Sequence, residues 1–81
     1  MIYIKLDTLE IASKLVKICE NYKAHMDIDV ILGKYVVDGC SFLGVISLLD
    51  NVVEVKPITD DDLLVEYFIK ELKDIGALTE N

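Results

Sequence analysis

An 81-residue chain of 53% apolar residues supports one domain, spanning 1–81. A chain this short buries only about 60 to 65% of its unfolded surface, so its core has little to spare. With 15 acidic and 8 basic side chains, net charge −7, the surface should repel phosphate backbones, which argues against nucleic acid as a partner. No stretch approaches the run of roughly 20 apolar residues that a membrane helix needs. Met1 leads directly into Ile2-Tyr3-Ile4-Lys5-Leu6 without a basic leader, and the sequence predicts a soluble, cytoplasmic domain without membrane insertion.

Residues 2 to 6 are β-branched and aromatic enough for a strand. Asp7-Thr8-Leu9-Glu10 then supplies an N-cap acid with Glu at the third helical position, a capping-box pattern. Leu9, Ala12, Leu15, Val16, Cys19 and Tyr22 recur at three- and four-residue spacings and predict a helix with one buried face. Cys19 reads as a small core residue of that face. With Cys40 it forms neither a CxxC pair nor a disulfide framework, which fits a reducing compartment.

Ile28, Val30 and Leu32 alternate with Asp27, Asp29 and Ile31 as a half-buried strand. Gly33-Lys34 joins it to Tyr35-Val36-Val37 through a two-residue hairpin in which Gly supplies positive φ. Asp38-Gly39 breaks that strand. Ser41 caps a short helix through Leu48, whose Phe42, Leu43, Val45, Ile46 and Leu48 are too many for a single buried face, so some of that surface is expected to show.

Val52-Val53-Glu54-Val55-Lys56 predicts a fourth strand, ended by Pro57. Thr59, with Asp62 three residues on, caps a last helix with a stripe of Leu64, Val65, Phe68, Leu72 and Ile75, and Gly76 closes it. The predicted fold is an α+β two-layer open-faced sandwich of order β-α-β-β-α-β-α, a four-stranded antiparallel sheet with three helices on one face.

The stretch Gly33-Lys34-Tyr35-Val36-Val37-Asp38-Gly39-Cys40-Ser41-Phe42-Leu43-Gly44-Val45-Ile46-Ser47-Leu48 resembles the regulatory-serine segment of HPr, the phosphocarrier of the bacterial sugar phosphotransferase system. The order of elements is similar to that family over essentially the whole chain. The resemblance implies that Ser41 is a phosphorylation site of an HPr kinase/phosphorylase. It also implies that Phe42, Leu43, Val45 and Leu48 form the apolar flank that meets a regulatory or phosphotransferase-system protein. The family's basic residue before the serine is here Cys40.

The family also carries a phosphoryl-accepting histidine at the start of the first helix, with arginine two residues on and proline after it. Counting back from Tyr22 puts Thr8 in the histidine slot, Glu10 in the arginine slot and Ile11 in the proline slot. An anionic group at a helix N-terminus is held by free N–H groups and cations. Asp7 and Glu10 bring negative charge there instead, and an aliphatic hydroxyl such as Thr8 is a weak nucleophile without an activating base. No catalytic residue is assigned.

His25, the sole histidine, stands near Asp27 and Asp29. Alternate strand residues read more simply as a solvated face than as a metal site. No Gly-rich phosphate loop implies a cofactor. The expectation is a non-catalytic regulatory or protein-interaction module that presents the Ser41 helix. Its alternatives are a working phosphocarrier passing phosphoryl groups from phosphoenolpyruvate to sugar-specific components and, more distantly, a small-ligand binding domain. Exposed apolar residues on the second helix would support weak self-association.

Overall fold

A computed structural model describes residues 1–79. The elements are β1 (Ile2–Lys5), α1 (Leu9–Tyr22), β2 (Asp27–Leu32), β3 (Tyr35–Asp38), α2 (Phe42–Ile46), β4 (Val52–Ile58), α3 (Asp62–Lys73) and β5 (Leu78–Thr79). The described residues are α+β: three helices and one open antiparallel sheet, ordered β3-β2-β4-β1-β5. The sheet has five strands where the sequence predicted four. The fifth is a two-residue pairing opposite Tyr3 and Ile4, too short to leave a period of its own. Gly76, at φ +78, turns the chain back after α3, and Lys5 N–H donates to Ala77 O at 3.1 Å to begin the pairing.

Register explains which side of the sheet is covered. Ile4 faces Val53, Ile2 faces Val55 and Val55 faces Val30, so these residues share one surface with Ile28. Ile4, Val53, Val55, Ile28 and Val30 are all buried. Ala12, Leu15, Val16 and Cys19 of α1, Val45 of α2, and Phe68 and Leu72 of α3 join the same core, which places all three helices over that surface. The Tyr22 and Phe68 rings meet edge to face, centroids 5.3 Å apart at 74°, and the Tyr22 hydroxyl donates to Glu71 Oε2. Such an aromatic pair adds about 0.5–1.5 kcal/mol beyond its buried area.

The helix caps differ by one or two positions from those predicted. Thr8, not Asp7, is the N-cap of α1: its Oγ1 accepts from Ile11 N–H at 3.1 Å. Asp7 instead forms a 3.7 Å surface ion pair with Lys5. At α3 the cap is Asp61, accepting from Leu64 N–H at 3.1 Å, while Thr59 Oγ1 accepts from Asp61 N–H and shapes the approach. Ser, Thr and Asp have similar capping chemistry, so composition alone does not choose among neighbours.

Pro57 lies within β4 rather than ending it. Strand β1 pairs with residues 52–55 of β4, whereas β2 continues to Ile58, so Pro57 sits where β4 has one hydrogen-bonding neighbour and its missing donor costs no ladder bond. The Gly33-Lys34 hairpin forms as predicted. Gly33 takes φ +60 while Lys34 stays outside the positive-φ region, the pattern of a II′ turn.

The second helix ends at Ile46 rather than Leu48. Ser47 Oγ donates to Gly44 O at 2.5 Å, and Leu48 and Leu49 continue as turns bonded to Val45 O and Ile46 O. Asp50, at φ 70, then reverses the chain. Asp50 N–H donates to Leu6 O, and Leu6 N–H donates to Asn51 O. That exchange holds the approach to α1 beside the end of the second helix.

Candidate functional site

The Ser41 segment is built from a sequence of local constraints. Gly39 continues the β2 ladder by donating its N–H to Ile28 O at 2.8 Å. It is glycine because a Cβ there would lie 2.9 Å from Cys19 Sγ and 3.2 Å from Ile28 O. Asp38 then organises the turn with two acceptors. Its Oδ1 takes Cys40 N–H at 2.8 Å, and its carbonyl takes Ser41 N–H at 2.9 Å.

Ser41 leaves that turn extended, at φ −91 and ψ 105, and its Oγ accepts from Gly44 N–H at 3.1 Å as the N-cap of α2. A cap of this kind contributes about 1 kcal/mol. Gly44 itself is set by a close approach: a Cβ on it would stand 3.1 Å from Val37 Cβ. The helix therefore lies hard against β3.

Burial divides the five residues singled out from the sequence. Ser41 is exposed, Phe42 is 40% exposed and Leu43 is 77% exposed. Val45 and Leu48, expected in the same partner-facing set, lie in the core at 0% and 5%. A partner can reach Ser41, Phe42 and Leu43 only. The correction follows from helix geometry: Val45 stands two residues, about 200° around the helix, from the exposed Leu43, so the face that packs on the core takes Val45 and leaves Leu43 outside.

Thr8, Glu10 and Ile11 stand at the start of α1. The Thr8 hydroxyl is engaged as the cap, and its acceptor role is directed at Ile11 N–H. Glu10 pairs with Lys14 at 3.2 Å on the exposed face of α1. No base stands within hydrogen-bonding distance of the Thr8 hydroxyl among the described residues. His25 is exposed in the turn after α1, where its backbone N–H donates to Tyr22 O at 2.9 Å. The fourteen residues of α1 separate it from Thr8 by about 20 Å.

Asp27 and Asp29 project to the open surface of the sheet, with Asp29 directly opposite Asp38. Among the described residues no three His, Cys, Asp or Glu side chains gather into a group that holds a metal ion. Both thiols are free. Burial, with the neighbouring Cys40 and Asp38, pushes Cys19 from 9.0 up to about 12. Cys40 is also raised, by partial burial first and then by Asp38, against a smaller opposing effect of Lys23. Neither is an activated thiolate.

No helix among the described residues is long and apolar enough to cross a membrane. No family model, curated protein or solved structure matches the chain. Sequence reasoning passed over the outer edge of β3, where Tyr35 is 69% and Val36 58% exposed. The signal was present in the alternation, since Tyr35-Val36-Val37 is apolar at every position and only one of its faces can be covered.

Proposed function

We propose that this chain is an HPr-like regulatory or protein-interaction module, related to the sugar phosphotransferase system, which presents Ser41, Phe42 and Leu43 to a protein partner and does not relay phosphate through histidine. The observation that carries the reading is the exposure of a capping serine with two exposed apolar neighbours on a helix anchored from beneath by Val45 and Leu48. The order of the first seven elements supports it.

The chemistry of such a site is binding rather than catalysis. A phosphoryl group transferred to Ser41 Oγ would add roughly −1.5 to −2 charge beside Asp38, whose carbonyl already holds the Ser41 N–H. The modified surface would then present an anion next to an apolar step, which suits a partner offering arginines beside an apolar recess. An HPr kinase/phosphorylase is the enzyme that the resemblance proposes for the modification. At the carrier position, Thr8 and Glu10 supply a cap and an acid instead of a nucleophilic imidazole and a cation.

The deciding experiment incubates the purified protein with phosphoenolpyruvate and the first enzyme of the phosphotransferase system. No acid-labile phosphoprotein is expected, and its appearance would overturn the non-carrier reading. Mass spectrometry of protein from its own cells is expected to place phosphate on Ser41.

A further inference from the structure

The free edge of β3 is complementary to itself. Gly39 N–H bonds to Ile28 O, and register pairs Val37 with Val30 and Tyr35 with Leu32. In an antiparallel ladder the hydrogen-bonded positions alternate. Residues 35, 37 and 39 therefore direct their backbone groups at β2, while Val36 and Asp38 direct theirs outward. The Asp38 carbonyl is taken by Ser41 N–H. The outward edge is left with Val36 N–H, Val36 C=O and Asp38 N–H, without a strand beside it among the described residues.

We infer that a second copy of this chain pairs with β3 edge to edge, antiparallel about a two-fold axis at Val36, so that Lys34 of each copy stands opposite Asp38 of the other. One register satisfies all the free groups. Val36 facing Val36 makes two reciprocal N–H to O=C bonds, and each Asp38 N–H then faces the Lys34 position of the other copy. The same register sets Tyr35 beside Val37 across the junction. Shifting it by one residue would align strands whose backbone groups point away from each other.

Side chains argue for the second copy over an unrelated strand. The chain carries −7 overall, so two copies repel in general. At this edge, however, one lysine and one aspartate fall into opposite-charge pairs under the two-fold operation. Tyr35 at 69% and Val36 at 58% exposure are apolar edge residues of the kind that monomeric sheets keep charged, short or covered. Phe42 and Leu43, both exposed, stand on the helix that packs against the same strand. This pairing uses β3 itself and is independent of any phosphate on Ser41.

Sedimentation equilibrium with amide hydrogen exchange tests the pairing. The apparent mass is expected to rise with concentration from 9.1 kDa toward twice that value. Exchange at Val36 and Asp38 should slow in parallel, while the Val37 amide, already in the ladder, should stay equally protected throughout. Lys34→Glu and Asp38→Lys are each expected to remain monomeric alone and to associate when mixed, because the mixture restores both opposite-charge pairs. A mass that stays at the monomer value up to millimolar concentration overturns the inference. So does association that leaves Val36 exchange unchanged, or a Lys34→Glu variant that self-associates like the parent. The exchange arm uses the unaltered protein and decides the matter even if Asp38→Lys fails to fold.

Discussion

The sulfur of Cys19 occupies the space that a side chain at Gly39 would need, with only 2.9 Å between Sγ and an ideal Cβ. Helix α1 and the end of β3 are thus fitted to each other atom by atom at the base of the Ser41 turn. Gly39→Ala should destabilise the fold by about 1–3 kcal/mol, the usual cost of overpacking. In urea unfolding, Cys19→Ala should recover part of that loss when combined with it, with a coupling of about 0.5–3 kcal/mol. Recovery stays partial because Ile28 O is also only 3.2 Å from the added carbon. Strict additivity would show that the two positions do not meet.

Alkaline pH should weaken the fold through two groups. Cys19 is raised from 9.0 to about 12 and Tyr22 from 10.0 to about 12, in both cases by burial first, with Glu71 adding to the shift at Tyr22. A folded-state pKa above the unfolded one means that the native state keeps protons which the unfolded chain has released. Their contribution is whole below about pH 9 and is lost as pH rises toward 12. Urea midpoints measured across that window should fall, and should fall less steeply in Cys19→Ala. In the native protein an alkylating reagent should label Cys40 well before Cys19, which is fully buried.

Ser41 has a structural duty whether or not it is modified. Ser41→Ala should cost about 1 kcal/mol in chemical denaturation, since Gly44 N–H loses its 3.1 Å acceptor. Ser41→Asp should retain most of that stability, because an aspartate caps as well as a serine. A loss below a few tenths of a kcal/mol for the alanine variant would mean that water replaces the hydroxyl without penalty.

Leu43 and Val45, two residues apart on α2, should respond oppositely. Leu43→Asp alters a side chain that is 77% exposed and should change stability by less than about 0.5 kcal/mol. Val45→Asp places an unpaired carboxylate in the core and should unfold the domain or lower its stability by more than about 3 kcal/mol. The first variant is therefore the right probe for partner binding by the exposed step.

Periodicity carried most of the architecture, because stripes such as Leu15-Cys19-Tyr22 and the alternation around Val30 are imposed by burial on one side. Element ends were less legible. Asp7 and Thr8 are chemically able to cap, and only the path of the chain into α1 selects Thr8. The pairing of Leu78 and Thr79 was invisible for a different reason: two residues have no period, and their partner lies at the opposite end of the sequence. Within the Ser41 segment, the cap was readable from residue type. The inward turn of Val45 and Leu48 was not, since it depends on the contact of Gly44 with Val37.

The position of β1 between β4 and β5 constrains how the polypeptide acquires its structure during translation. Strand β1 leaves the ribosome before either of its neighbours: one side waits for Val52–Val55 and the other for Leu78–Thr79. Among the described strands, only β2 and β3 pair from adjacent segments. Nascent chains should therefore stay protease-sensitive at Ile2–Lys5 until β4 is clear of the exit tunnel, and complete their protection only when Leu78–Thr79 have followed.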